Sequence, residues 1–256
     1  MHVRRLSRGV GVRVRATRGE RRGIRYVANE LRAQGYRVRV RGFSVDGRRS
    51  HNLTAVWPSA VKHPFVVGAH IDTVAGSPGA NDNASGVAVV LELARLSAGT
   101  RRARYAKFVV FGAEEYGTDG RHHVGSAVFV KRIGRRGRAR LPGMVSVDMI
   151  ADGRPLIVGT AGIGPGIVAR ALYRRVRGAG IEVVRRTTCD CSDNGPFERA
   201  GIPAAFAWSG PEADYHSPSD TARNLSRRDL RRSGRALRVF VRSLRPETLR
   251  RFRKQR

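Results

Sequence analysis

Lysine is scarce in this chain of 256 residues: Lys62, Lys107, Lys131 and Lys254 are the only four. Acidic residues are also few, 20 against 50 basic ones, for a formal net charge of +30. Subtracting the four lysines leaves 46 arginines. Cysteine occurs twice, which excludes a disulfide scaffold. No apolar run reaches the roughly 18 residues that a transmembrane helix needs. The opening MHVRRLSRGVGVRVRATRGERRG is basic but lacks the apolar stretch of a secretory leader, which predicts a cytoplasmic location. Zinc-finger spacing, a glycine-rich phosphate loop and basic runs interleaved with aromatics are all missing, so the positive charge brings no nucleic-acid-binding motif with it.

The charge is unevenly spread. Residues 1–50 hold 15 basic and 3 acidic residues, net +12, and residues 223–256 hold 14 and 2, again +12. Residues 51–130 hold 7 and 6, net +1. The excess therefore sits at the ends: a basic N-terminal extension over 1–19 and a basic C-terminal tail over 246–256. Their surface predicts non-specific contact with anions or nucleic acid.

Apolar residues make up 41% of the chain, enough for one sizeable core. Helical spacing predicts helices over 20–34, 85–96, 125–133, 166–179 and 193–200, with Gly35 as a stop and Asn83 or Ser85 capping the second. Ser226 and Asp229 form a capping box that opens a last helix, whose face is Leu230, Leu237, Phe240 and Leu244. Alternating or continuous apolar runs predict strands at 36–41, 52–57, 64–69, 107–112, 144–149, 156–159, 181–184 and 202–208. The arginine-rich stretch 134–140 reads as a solvated loop. Alternating strands and helices predict an α/β fold with a single domain over 20–245, a three-layer sandwich around a mixed, mostly parallel sheet.

Polar residues gather just after the predicted strand ends, where open α/β sheets bind ligands. In GAHIDTV, His70 and Asp72 lie two apart and point the same way, so Asp72 can hold one imidazole nitrogen while the other faces a metal. In PGANDNASG, Asp82 sits in a small-residue turn where its carboxylate can bridge two cations. In FGAEEYG, Glu114 and Glu115 follow a buried strand, and metal binding by one with proton transfer by the other would separate their roles. Asp148 interrupts the apolar run 145–150 and needs a cation or strong donors. His216 lies in the polar turn DYHSPSD.

These blocks, in this order, resemble the M28 family of co-catalytic metallopeptidases, of the bacterial aminopeptidase type, over residues 20–242. CSDNGPFERAGIPA, 191–204, is also similar to the stretch before that family's last metal-binding histidine. The resemblance implies a zinc-aminopeptidase-like fold. It places His70 and Asp148 on one metal, Glu115 and His216 on the other, and Asp82 between them. It makes Glu114 the general base and acid, Asp72 the partner that orients His70, and Tyr215 a donor to the tetrahedral intermediate. It implies two divalent ions, zinc suiting such donors best, and a peptide or amino-acyl amide with a free N-terminus as substrate. The 67 residues between Asp148 and His216 leave no room for the large inserted domain of M20-type peptidases. Alternatives on the same fold are an amidohydrolase or a glutaminyl cyclase; an alternative of another class is a non-enzymatic nucleic-acid-binding protein. Cys189 and Cys191, one residue apart, read as inert thiols. His122 and His123 read as ordinary loop histidines.

Overall fold

A computed structural model of the chain describes residues 1–210 and 213–254. Its strands are β1 (Arg37–Val45), β2 (Arg48–Val56), β3 (Phe65–His70), β4 (Ala106–Phe111), β5 (Met144–Val147), β6 (Leu156–Thr160), β7 (Val183–Thr187) and β8 (Ala204–Trp208). Helices α1 (His2–Arg4) and α2 (Arg18–Ala33) precede β1. Then come α3 (Gly86–Ser97), α4 (Val124–Arg140), α5 (Ile167–Arg177), α6 (Asn194–Arg199), α7 (Arg227–Arg242) and α8 (Pro246–Lys254). The sheet order is β1-β2-β4-β3-β5-β8-β6-β7. β3 pairs in parallel with β4 and β5, and β5 with β8, whereas β1, β2 and β4 run antiparallel in turn.

Every residue of β3 is buried, because helices cover both faces of the sheet. Phe65, Val67 and Ala69 point to one face, where they join Phe108, Val110, Val145 and Val147 under residues of α2, α3, α5 and α7. Val66 points to the other, with Val109, Phe111 and Met144 against Phe129 and Phe197 of α4 and α6. The Phe111 and Phe129 rings meet edge to face at 5.8 Å and 86°. The result is the expected three-layer α/β sandwich.

The path through β3, β4 and β5 creates the site. α3 carries the chain from β3 to β4 along one face; α4 returns it along the other face to β5, on the far side of β3. Connections that diverge in this way open a crevice at the carboxyl ends of the strands. Register brings those ends level: His70 lies opposite Phe111, and Gly68 opposite Ser146. At the start of α3 the Asn83 side chain, rather than that of Ser85, accepts from Gly86 N at 2.9 Å. Gly86 must lack a side chain there, since a Cβ would run into the Val147 carbonyl.

Several expectations are corrected. The stretch 134–140 is helical: after a break at Gly134 (φ 65) α4 continues to Arg140, as arginine's good helix propensity allows. β1 runs on to Val45 as an edge strand that leaves Val40 exposed. β7 is likewise an exposed edge, displaced to 183–187. Asp193 stands at the start of α6, but its side chain makes no cap hydrogen bond. Cys189 and Cys191 form a disulfide: the bent loop brings their Cα atoms to 5.1 Å, within ordinary reach.

The basic ends are packed onto the fold. Val3 and Leu6 join the main core at one end, and Leu249 and Phe252 of α8 join it at the other. Residues 255–256 of the expected tail lie outside the described residues. Among the described residues, no helix is long and apolar enough to cross a membrane.

Candidate metal centre

Each predicted side chain arrives at the same crevice. His70 ends β3, Glu114 and Glu115 follow β4, Asp148 follows β5, Asp82 lies in the turn before α3, and His216 lies in the loop after β8. His70 Nε2 is 3.1 Å from Asp82 Oδ1 and 3.2 Å from Asp148 Oδ1. His216 Nε2 is 3.2 Å from Asp82 Oδ2 and 3.1 Å from Glu115 Oε2. The two oxygens of Asp82 thus face two different histidines, each with a second carboxylate of its own.

Such spacings match the edge of a tetrahedron, which is about 3.3 Å for metal–ligand bonds near 2.0 Å. His70, Asp82 and Glu115 bring ligand atoms close enough to share a cation, and so do His70, Glu114 and Asp148. Glu115 Oε1 is buried and has no hydrogen-bond partner among the described residues. Burial of polar atoms without partners is costly, and a cation would supply the missing interaction.

The local charge points the same way. Burial pushes the Glu114 carboxyl well above the usual carboxylate range, despite the pull of His70. Burial, then Asp82, pushes Glu115 up to about 7. Burial would lower His216, but Asp82 and Glu115 outweigh it and hold the imidazole up at about 10. Burial also opposes the charge on Asp82, yet His216 and His70 hold it below the usual range. Packed carboxylates that ionise reluctantly, and imidazoles that hold protons, are what a site built for cations shows when only its own side chains are present.

The supporting contacts fix these groups from behind. Asp72 accepts from Glu114 N and Glu115 N, both at 3.0 Å. Its carboxylate is 3.8 Å from His70 Nδ1, which has a nearer partner in the Asp72 carbonyl at 3.2 Å. Tyr215 is half exposed and stacks on His216 at 3.7 Å. Non-glycine residues with positive φ cluster here: Ala113 before Glu114, Met149 after Asp148, and His216 itself. Such strain gathers where surrounding contacts over-determine the backbone.

Other residues of the site lay hidden in the sequence. Asp220, also in DYHSPSD, accepts from Asn81 N at 2.7 Å and Asp82 N at 3.0 Å, and so shapes the Asp82 turn. Ser192 donates to Asp148 Oδ2 at 2.8 Å. Asp193 is fully buried beside the site, and burial pushes its carboxyl up to about 7. Arg13 and Arg15 come from the supposed extension. Arg13 donates to the carbonyls of Ile71, Pro78 and Gly79, all at 2.8 Å, and so ties the His70 strand end to the Asp82 turn. Arg15 donates to the Glu115 and Arg121 carbonyls and pairs with Asp46 and Asp119. No sequence signal separates these two from the exposed arginines around them.

Comparison with known proteins places this geometry. Aminopeptidase YwaD of Bacillus subtilis is 30% identical over 225 residues, 83% of this chain and 48% of its own length. The chain thus spans about half the length of that curated relative. The structure of BSAP, a zinc aminopeptidase from Bacillus subtilis, superposes with a TM-score of 0.87 at 19% identity, covering 96% of this chain and 94% of that one. A glutaminyl cyclase of Fimbriiglobus ruber superposes at 0.79 with 26% identity, covering 94% and 92%. The profile of peptidase family M28 matches residues 52–241, nearly three-quarters of the sequence and every predicted ligand. The chain belongs to peptidase family M28.

Proposed function

We propose that this chain is a metal-dependent aminopeptidase that hydrolyses the N-terminal bond of a peptide or amino-acyl amide. The observation that carries the reading is Asp82, whose two oxygens lie 3.1 and 3.2 Å from two histidines on opposite sides. Likeness to aminopeptidases supports it.

In this reading His70 and Asp148 hold one ion, Glu115 and His216 the other, and Asp82 both. Zinc ions held there would supply Lewis acidity toward the scissile carbonyl and would make a water easier to deprotonate into a nucleophile. Glu114 faces the same space through Oε2, 3.9 Å from His70 Nε2. Its raised proton affinity suits a group that takes a proton from that water and returns it to the leaving amine. Asp72 fixes the Glu114–Glu115 turn, and Ser192 fixes Asp148. The carboxylates around the site also attract the ammonium of a free N-terminus. Tyr215 lies beside His216 at the exposed rim.

The test is metal content per chain together with hydrolysis of amino-acyl chromogenic amides, wild type beside Glu114→Ala. Two ions in both proteins, with turnover lost in the variant, support the reading. Turnover unaffected by Glu114→Ala refutes it. Likeness to a glutaminyl cyclase favours a second reading, which one bound ion and release of ammonia from N-terminal glutaminyl peptides would establish instead.

A further inference from the structure

The roles above leave one close contact unused. His123 Nε2 lies 2.9 Å from Glu114 Oε1. The other Glu114 oxygen, Oε2, is the one turned toward His70. His123 is only 2% exposed, although it closes a polar loop of the sequence. It occupies the N-cap position of α4 in the left-handed region, φ 52 and ψ 28, and its side chain makes no cap hydrogen bond. A non-glycine residue held there, with its ring turned away from the helix, is placed for something else.

The backbone around it is pinned. His123 N donates to Glu114 O at 2.7 Å, Val124 N to Ala113 O at 2.8 Å, and Ser126 Oγ to His123 O at 3.1 Å. Arg15 ties the outer loop to the same place through the Glu115 and Arg121 carbonyls and Asp119. Beside the ring, His122 stacks on Tyr116 at 4.3 Å, and its Nδ1 lies 3.1 Å from the same His123 Nε2 that faces Glu114. Burial and the neighbouring histidine keep the His123 ring neutral, with its proton affinity pulled down to about 3.

A neutral imidazole carries one N–H, and a proton on His123 Nε2 lies within reach of Glu114 Oε1 at 2.9 Å, with His122 Nδ1 slightly farther at 3.1 Å. Such a neutral donor fixes the carboxylate and lowers its proton affinity less than an ion pair would. The fixation matters because Glu114, His70 and Asp148 lie close enough to share a cation among themselves. Left free to rotate, Glu114 can become a ligand and cease to be a base.

We infer that His123 is a positioning residue that anchors Glu114 through Oε1 and keeps Oε2 free for proton transfer. This rests on the aminopeptidase reading. Its chemistry adds no step: the hydrogen bond holds one oxygen while the other takes and returns the proton.

Two substitutions separate this role from a merely structural one. His123→Gln places an amide N–H near the former Nε2 position; His123→Asn is one bond too short to reach Glu114. Both replacements are polar, and thermal unfolding checks that both variants fold. The expected result is that the Gln variant keeps most of its turnover. In the Asn variant kcat falls about 10–100-fold, the usual loss when a ligand-orienting partner is removed, while KM stays within about two-fold and two metal ions remain. A second readout is the visible spectrum of the cobalt-substituted protein. It should change in the Asn variant as Glu114 moves onto the metal, and show no such change when His123→Asn is combined with Glu114→Ala. His123→Leu replaces the Asn variant if that one fails to fold.

Equal kcat in wild type and Asn variant, equal loss in Gln and Asn variants, or a cobalt spectrum unchanged by His123→Asn would each overturn the inference. A wild type that binds no metal and cleaves no amide overturns the aminopeptidase reading and this inference with it. An active wild type beside an indifferent Asn variant overturns the inference alone.

Discussion

Replacing Arg13 by Met should cost this protein several kilocalories per mole, although thirteen residues into a basic sequence it resembles any exposed arginine. The guanidinium is fully buried. Nε donates to Ile71 O at 2.8 Å, Nη2 to Gly79 O at 2.8 Å, and Nη1 to Leu6, Gly11 and Pro78 carbonyls at 3.1, 2.8 and 2.8 Å. Methionine fills much of the volume but donates to none of them. Summing about 1–3 kcal/mol for each orphaned carbonyl overstates the loss, because carbonyls have a second lone pair and water can enter. Breaking a buried charged network by removing one partner typically costs about 3–5 kcal/mol, which is the expected range here. Unfolding entropy near 2.1 cal/mol/K per residue gives about 0.54 kcal/mol/K for 256 residues, so Tm should fall by roughly 6–9 °C. Calorimetry on chelated protein avoids stabilisation by bound metal. Arg13→Lys, a point donor on a flexible stem, should recover less than half of the loss. Arg25→Met, at an exposed position of α2, is the control and should shift Tm by about 1 °C or less. An Arg13→Met variant as stable as Arg25→Met would refute the clamp.

Three further outcomes follow from other contacts. Ser192→Ala removes the donor to Asp148 Oδ2 and should weaken zinc binding about 10–100-fold in competition with a chromogenic chelator, with the fold intact. Phe252→Ala should cost about 3–5 kcal/mol in urea unfolding, since the ring is fully buried against Phe65 and Phe240; a loss under 1 kcal/mol would put α8 outside the core. Burial, then Asp72, pushes the Glu20 carboxyl from 4.5 up to about 8. A raised acid contributes stability that is present below pH 4.5 and lost as pH rises through 8. The stability of wild type relative to Glu20→Gln should therefore decline across that window and level off above it, as equilibrium unfolding at a series of pH values would record.

The site was more legible in the sequence than its support. His70, Glu114, Glu115 and Asp148 each break an apolar context at or next to a strand end, and Asp82 breaks a small-residue turn, so burial and charge conflict visibly in the sequence itself; His216, in a polar turn, was legible only through the family resemblance. The central strands were legible for the related reason that both their faces are buried. The edge strands β1 and β7 were blurred because exposure removes the periodic constraint. α8 was missed because Leu249 and Phe252 are too few apolar residues to mark a face among so many arginines. The extension of α4 was missed because arginine serves a solvated helix as well as a loop. Arg13 and Arg15 owe their roles to residues distant in the chain, about 60 positions away for Arg13 and Ile71, and His123 owes its role to a loop that folds back onto Glu114; no local pattern records such partners. The Cys189–Cys191 bond depends on a loop bend that spacing alone does not reveal.

The central claim is that Asp82 lies between two metal ions with different partners. Anomalous diffraction at the zinc edge, on crystals of the zinc-loaded protein, tests it most directly. The account predicts two peaks, one among His70, Asp148 and Asp82 and one among His216, Glu115 and Asp82, with Glu114 bound to neither. A single peak, or a peak with Glu114 as a ligand, would contradict it.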